Sequence, residues 1–301
     1  MNRSVSLLMT GALLAVMAAG VGCTPKPTGA APQRPDVTPA AQGPQWAEAM
    51  IAVAKASNAV EGVVLHVGDS TTRNNHFTKW VRTVSNDEAP GFSESDRAIL
   101  KWSHAAEGES DKNGWNLAIA DVNDMRTETA AKNMTTATML TGGPGDLPPL
   151  AKLLAQYKPQ VVVILLGASD SYEGRRPQAV AADMAKIVDA CLAAGAIPVV
   201  MTCPPNEPEL KLIQAYNKQY VALAKRKNVP VIDLYGEILA RQPGDAWVGT
   251  LTNDAGKRLS IAQAAGPPTK ENLAKGGYLL RAWVVVQKLK EIKAQVIDKA
   301  K

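Results

Sequence analysis

Histidine is scarce in this chain: three residues in 301, His66, His76 and His104, with none beyond position 104. Imidazole is the commonest general base near neutral pH and the commonest metal ligand, so most of the chain must work without either. Three cysteines are too few for a disulfide framework. No His/Cys/Asp cluster has metal-ligand spacing, and neither a metal nor a cofactor is expected. Phenylalanine occurs twice and aromatic residues make up 5%. There is no Gly-rich phosphate loop and no interleaving of basic with aromatic residues, so nucleic acid is not an expected partner. The net charge of +5 counts Arg3 and is otherwise thinly spread.

The N-terminus is richer in signal. Arg3 precedes the uncharged stretch Ser4 to Gly22, which ends in Gly20-Val21-Gly22-Cys23. This resembles a bacterial lipoprotein signal with Cys23 as the lipid-modified first residue of the mature chain; an ordinary secretory signal or an N-terminal anchor is the plainer alternative. Thr24 in place of aspartate leans towards the outer membrane, facing the periplasm or the exterior. Residues 24–45 are dense in Pro, Ala, Thr and Gln without apolar periodicity, the composition of a tether. The expected organisation is a signal at 1–22, a tether at 23–45 and one folded domain at 46–301.

Within that domain, strands alternate with helices. Val63 to Val67, Val161 to Leu166, Ile197 to Thr202 and Val229 to Leu234 read as buried strands; Leu150 to Tyr157, Val180 to Leu192 and Glu209 to Lys227 read as helices. A last helix, about Asn272 to Lys299, carries Leu279, Trp283, Val286 and Leu289 on one face, with its charges read as a solvated face. The pattern predicts an α/β fold, a three-layer α/β/α sandwich with a central parallel sheet of flavodoxin-like type, binding ligands at the strands' C-terminal edge. Three small polar turns meet at that edge: Gly68-Asp69-Ser70 after the first strand, the bend Thr141 to Asp146, and Gly167-Ala168-Ser169-Asp170. Pro204-Pro205-Asn206 is expected to border the same pocket. Cys191 and Cys203 read as core residues, although an exported protein would permit a disulfide between them.

Gly68-Asp69-Ser70 and Gly167-Ala168-Ser169-Asp170 resemble the first and third blocks of the SGNH (GDSL) hydrolases, a family of esterases and acyl hydrolases, over roughly Gly62 to Lys293. The resemblance implies Ser70 as nucleophile and first oxyanion donor, Gly143 or Gly142 as a second donor through its N–H, and Ser169 at the place of the family's oxyanion asparagine. Asp69 and Asp170 accompany them as binding residues. A serine hydroxyl is shorter than that amide but still donates. Ser70 also has a plain alternative, as N-cap of the following helix.

The family's fourth block, Asp-x-x-His, has no counterpart that keeps its chemistry. The register Ala255 to Ser260 puts Ala255 at the Asp and Arg258 at the His; the register Ala264 to Thr269 puts Ala264 and Pro267 there. Guanidinium has no acceptor and stays protonated, so Arg258 cannot take a proton from serine. Losing one member of a Ser-His-Asp unit costs on the order of 10⁴ to 10⁶ in turnover. Of the three histidines, His66 reads as a sheet-face core residue, and helical spacing from Ser70 points His76 away. His104 lies in a polar segment, Ser85 to Asn113, of the kind that forms lids, and it is the only candidate for a relocated base, the alternative being no base at all. Two functions remain. One is a retired hydrolase fold that binds a cell-envelope glycan or protein, with Arg258 as an anion ligand or as a solvated loop residue. The other is an active exported esterase on an acylated glycan or small ester.

Overall fold

A computed structural model describes residues 44–86, 88–89, 91–105, 112–120 and 127–301. The expected signal, Cys23 and nearly all of the tether lie outside the described residues. The first helix, α1, spans Pro44–Lys55 and buries Trp46 and Met50.

Four parallel strands form the sheet in the order β1-β2-β3-β4: β1 is Val60–Gly68, β2 Pro159–Leu165, β3 Ile197–Met201 and β4 Val231–Ile232. Beyond β1, on the edge opposite β2, Ala130 makes one further parallel bridge to Gly68. The fold is thus the expected α/β class. Runs such as Val161 to Leu166 are buried throughout because a parallel sheet is covered on both faces. On β1, Val63 and Leu65 pack against Leu153 and Tyr157, while Val64 between them enters the main core, so the period of two sends neighbouring side chains to opposite layers.

The helices that position the site are α2 (Ser70–Arg73), α3 (Glu94–Trp102), α4 (Thr136–Thr141), α5 (Leu150–Tyr157), α6 (Ala168–Tyr172), α7 (Pro177–Ala193) and α8 (Leu210–Lys227). Near the C-terminus come α9 (Leu234–Arg241), α10 (Lys270–Leu273) and α11 (Gly277–Ile292). The expected single terminal helix is broken. Gly276 is extended, and a Cβ on Gly277 would sit 2.1 Å from the Leu251 carbonyl, so the chain bends there to pass close to another backbone. The helix face read as solvated also hides a charge, since Arg281 is fully buried.

The segment 85–113 is no lid among its described residues. Ser93 and Asp96 form a capping box for α3, Ile99 and Leu100 are buried, Phe92 stacks on Trp80, and Asp96 pairs with Lys290 on α11.

Cys191 and Cys203 are both buried and both free. The Cys203 thiol donates to the Leu166 carbonyl at 3.0 Å, and burial pushes the Cys191 thiol up to about 12. In a chain carrying Cys23→Ser, a thiol reagent should therefore leave both cysteines untouched while the protein is folded and titrate both in denaturant.

Candidate functional site

The G-D-S turn is built by close contacts. A Cβ on Gly68 would lie 2.2 Å from the Thr72 hydroxyl and 2.5 Å from the Leu165 carbonyl, so only glycine lets α2 start this tightly against β2. Asp69 caps α2: its carboxylate accepts from the Thr71 N–H at 2.9 Å, and its carbonyl accepts from Thr72 and Arg73. The cap is therefore Asp69 and not Ser70, whose exposed side chain is left facing the cleft. Asp69 itself is 1% exposed and does not line the cleft, so its role is to hold the turn and not to bind a ligand.

Beneath the turn lies Arg281 of α11. Its guanidinium donates to the Thr71 carbonyl at 2.8 Å and to the Thr72 hydroxyl at 3.0 Å, and it rests over the Phe77 ring at 3.7 Å. Burial drives Asp69 up to about 6, opposed by the Thr71 N–H and by Arg281; burial also draws Arg281 down to about 10, so it stays charged at neutral pH. The sequence does carry a signal for Arg281: it is the one charged residue between Lys275 and Lys288, in a run that is buried almost throughout.

Ser70 opens into a cleft of about 560 Å³ that also exposes Asn133, Ser169, His76, Tyr172, Arg258 and Tyr278. Ser169 sits at the start of α6, after a Gly167 at φ 131° whose Cβ would meet the Cys203 sulfur at 2.6 Å. Two expected binding residues are elsewhere. Gly143 and Gly142 do not line this cleft; their N–H groups donate to the Leu147 and Thr138 carbonyls, closing the end of α4, and Gly143 packs on Met134. Asp170 is fully buried, accepting from the Thr136 N–H and hydroxyl and pairing with Arg175, so it fastens α4 to α6.

Asn133, and not Gly143, borders the cleft with Ser70. It follows the short segment bridged to Gly68, where Ala131 N–H donates to the Gly68 carbonyl at 3.2 Å, and it holds φ 63°. Asn tolerates that left-handed conformation better than most residues, the one local signal by which the sequence marks it. Its N–H takes part in no hydrogen bond among the described residues.

The histidines also redistribute. His66 is buried between Phe77 and Trp115, with neither ring nitrogen hydrogen-bonded, and burial holds it well below its usual pKa. His104 is at the wrong end of β1: its Nε2 lies 3.2 Å from the Glu61 carbonyl and against Gly62, roughly 20 Å from the Ser70 end at about 3.3 Å per residue. It is not the relocated base. His76, which helical spacing seemed to turn away, lines the Ser70 cleft, because α2 ends after one turn and Asn74 goes extended at ψ 122° before a 3₁₀ turn, Asn75–Phe77. Asn74 Oδ1 lies 2.8 Å from His76 Nδ1, which makes Nδ1 the protonated nitrogen and leaves Nε2 as acceptor. Partial burial, with Lys79 nearby, lowers the His76 pKa and keeps the ring neutral at pH 7.

Arg258 lines the cleft beside Lys257, whereas Ala264 and Pro267 do not, which favours the first of the two registers. Asn206 stands behind the lining, donating to the Tyr172 hydroxyl at 3.0 Å.

A serine at a strand-to-helix turn, flanked by donors from the next two strand ends on a parallel sheet, defines a serine-hydrolase type of α/β protein. The chain belongs to the GDSL-like lipase/acylhydrolase family, which it matches over residues 66–259. Solved structures with a similar course include a carbohydrate esterase of family 3 from Talaromyces cellulolyticus, at 15% identity and TM-score 0.49, covering 77% of this chain and 98% of that one. The lipase/acylhydrolase from Enterococcus faecalis is 19% identical with TM-score 0.47, covering 76% and 95%. No curated protein matches the chain.

Two measurements probe the support under Ser70. Arg281→Met removes two donors and leaves Asp69 buried without its cation, and it should cost about 3 kcal/mol in urea unfolding. For Asp69, the folded pKa of about 6 lies above the ordinary value of 3.8. The folded state therefore gains by taking up a proton: that contribution is full below pH 4 and lost as pH rises through 6. It amounts to about 3 kcal/mol, and Asp69→Asn should erase this pH dependence.

Proposed function

We propose that the chain is an exported lipoprotein, lipidated at Cys23, whose GDSL-type cleft holds an acylated cell-envelope glycan and turns it over slowly or not at all. The observation that carries this reading is Arg258 in the cleft that Ser70 opens into. A guanidinium can hold a ligand's anionic group but cannot accept the serine proton, so the machinery for binding is present where that for proton transfer is missing. The oxyanion side is better supplied: Ser70, Asn133 and Ser169, each with a group able to donate, border the same space.

One observation favours a second reading, a weak ester hydrolase. His76 borders the cleft as a neutral imidazole oriented by Asn74, the state a general base needs. Labelling by a fluorophosphonate probe separates the two. If the cleft only binds, a folded chain should stay unlabelled. Labelling that Ser70→Ala abolishes and His76→Ala slows by about 10² or more would establish the hydrolase instead. Incorporation of a fatty-acid label that Cys23→Ser prevents checks the anchor.

A further inference from the structure

Four basic side chains border the Ser70 cleft: Arg73 at the end of α2, Lys132 in the segment leading to Asn133, and Lys257 with Arg258 in the turn 253–258. They come from three separate stretches of chain, and none forms an ion pair among the described residues. Cations without an ion pair among the described residues occur elsewhere too, as at Lys211, Lys218 and Lys270, but there they do not share one cleft. The described lining contains no carboxylate, although the chain as a whole has 28 acidic residues against 33 basic.

Unmatched like charges around one concavity repel one another and raise a positive potential in it, a cost to the fold that an anionic occupant relieves. The turn that presents two of them is also preorganised. Asn253 Oδ1 accepts from the N–H groups of both Lys257 and Arg258, the Asn253 N–H donates to the Arg258 carbonyl at 2.8 Å, and Thr252 bridges Leu259. The neutral part of the lining includes hydroxyl and amide groups, at Ser70, Asn74 and Ser169, and the Tyr172 ring, 57% exposed. Such groups suit sugar hydroxyls and a sugar face.

Resting on the reading of this cleft as a ligand site, we infer that its occupant is an anionic saccharide, one bearing carboxylate or phosphate, held by Arg258, Lys257, Lys132 and Arg73. Arginine's planar fork matches either group through paired hydrogen bonds, and the lysines act as point charges around it.

The test is calorimetric titration of the whole chain with three probes: trigalacturonate, its fully methyl-esterified form, and glucose 6-phosphate, at low and high salt. At least one charged probe should bind at least tenfold tighter than the neutral ester, and its affinity should fall severalfold as salt rises. Preference between the two charged probes tells carboxylate from phosphate. Lys257→Gln with Arg258→Gln should weaken binding by about tenfold or more, and Lys227→Gln, outside the cleft, should not. Equal, salt-insensitive affinity for trigalacturonate and its ester, lost in Ser70→Trp, would overturn the anionic assignment while the cleft remained the binding site. Charged probes that bind Ser70→Trp as tightly as the parent would overturn the cleft itself as the site. Binding of none of the probes would overturn the inference, and the cleft's role would then be judged by the fluorophosphonate label alone.

Discussion

A buried arginine ties the last long helix to the first functional turn. Arg281 reaches from α11 to the Thr71 carbonyl and the Thr72 hydroxyl, some two hundred residues away in sequence. Burying a guanidinium is expensive, and it is sustained only because acceptors, an aromatic face and the nearby Asp69 carboxylate share its charge. The one-turn helix α2 has too few internal hydrogen bonds to hold itself. Its position, and so the direction of the Ser70 hydroxyl, is fixed from below by α11 and from the side by Gly68 against β2.

The sheet was legible because parallel strands announce themselves as continuous apolar runs, and the four expected strands are the four observed. Helices with good propensity, such as Leu150 to Tyr157, were legible to the residue. The site was legible only where glycine marks a close approach, at Gly68 and Gly167. It failed where backbone conformation, not residue type, decides. Gly142 and Gly143 looked like an oxyanion bend but serve the end of α4, whereas Asn133 holds a left-handed turn with no glycine to advertise it. Helical spacing turns His76 away from Ser70 only if the helix runs on past Arg73; the break at Asn74 places its ring in the Ser70 cleft. Arg281 is the lone charge in an apolar run, a signal that is lost when the charges of the last helix are all assigned to a solvated face.

Burial separates the acidic residues of the motif from its hydroxyls. Asp69 and Asp170 both sit behind the cleft wall, one capping α2 and the other clamping α4 to α6, while Ser70 and Ser169 face outward. The motif's carboxylates thus serve as fasteners, and the chemistry open to a ligand is hydroxyl, amide, imidazole and cation.

Gly68 is bridged on one edge by Ala130 and paired on the other with Leu165. Gly68 therefore joins, through backbone alone, three of the stretches that border the cleft, those carrying Ser70, Asn133 and Ser169. The side chains that face the cleft from those stretches are free to drift, while Asp69 and Asp170 hold the frame from behind. A lineage on this scaffold can exchange its proton-transfer group for a cation and retain the shape of the pocket, which makes the architecture readily repurposed from turnover to recognition.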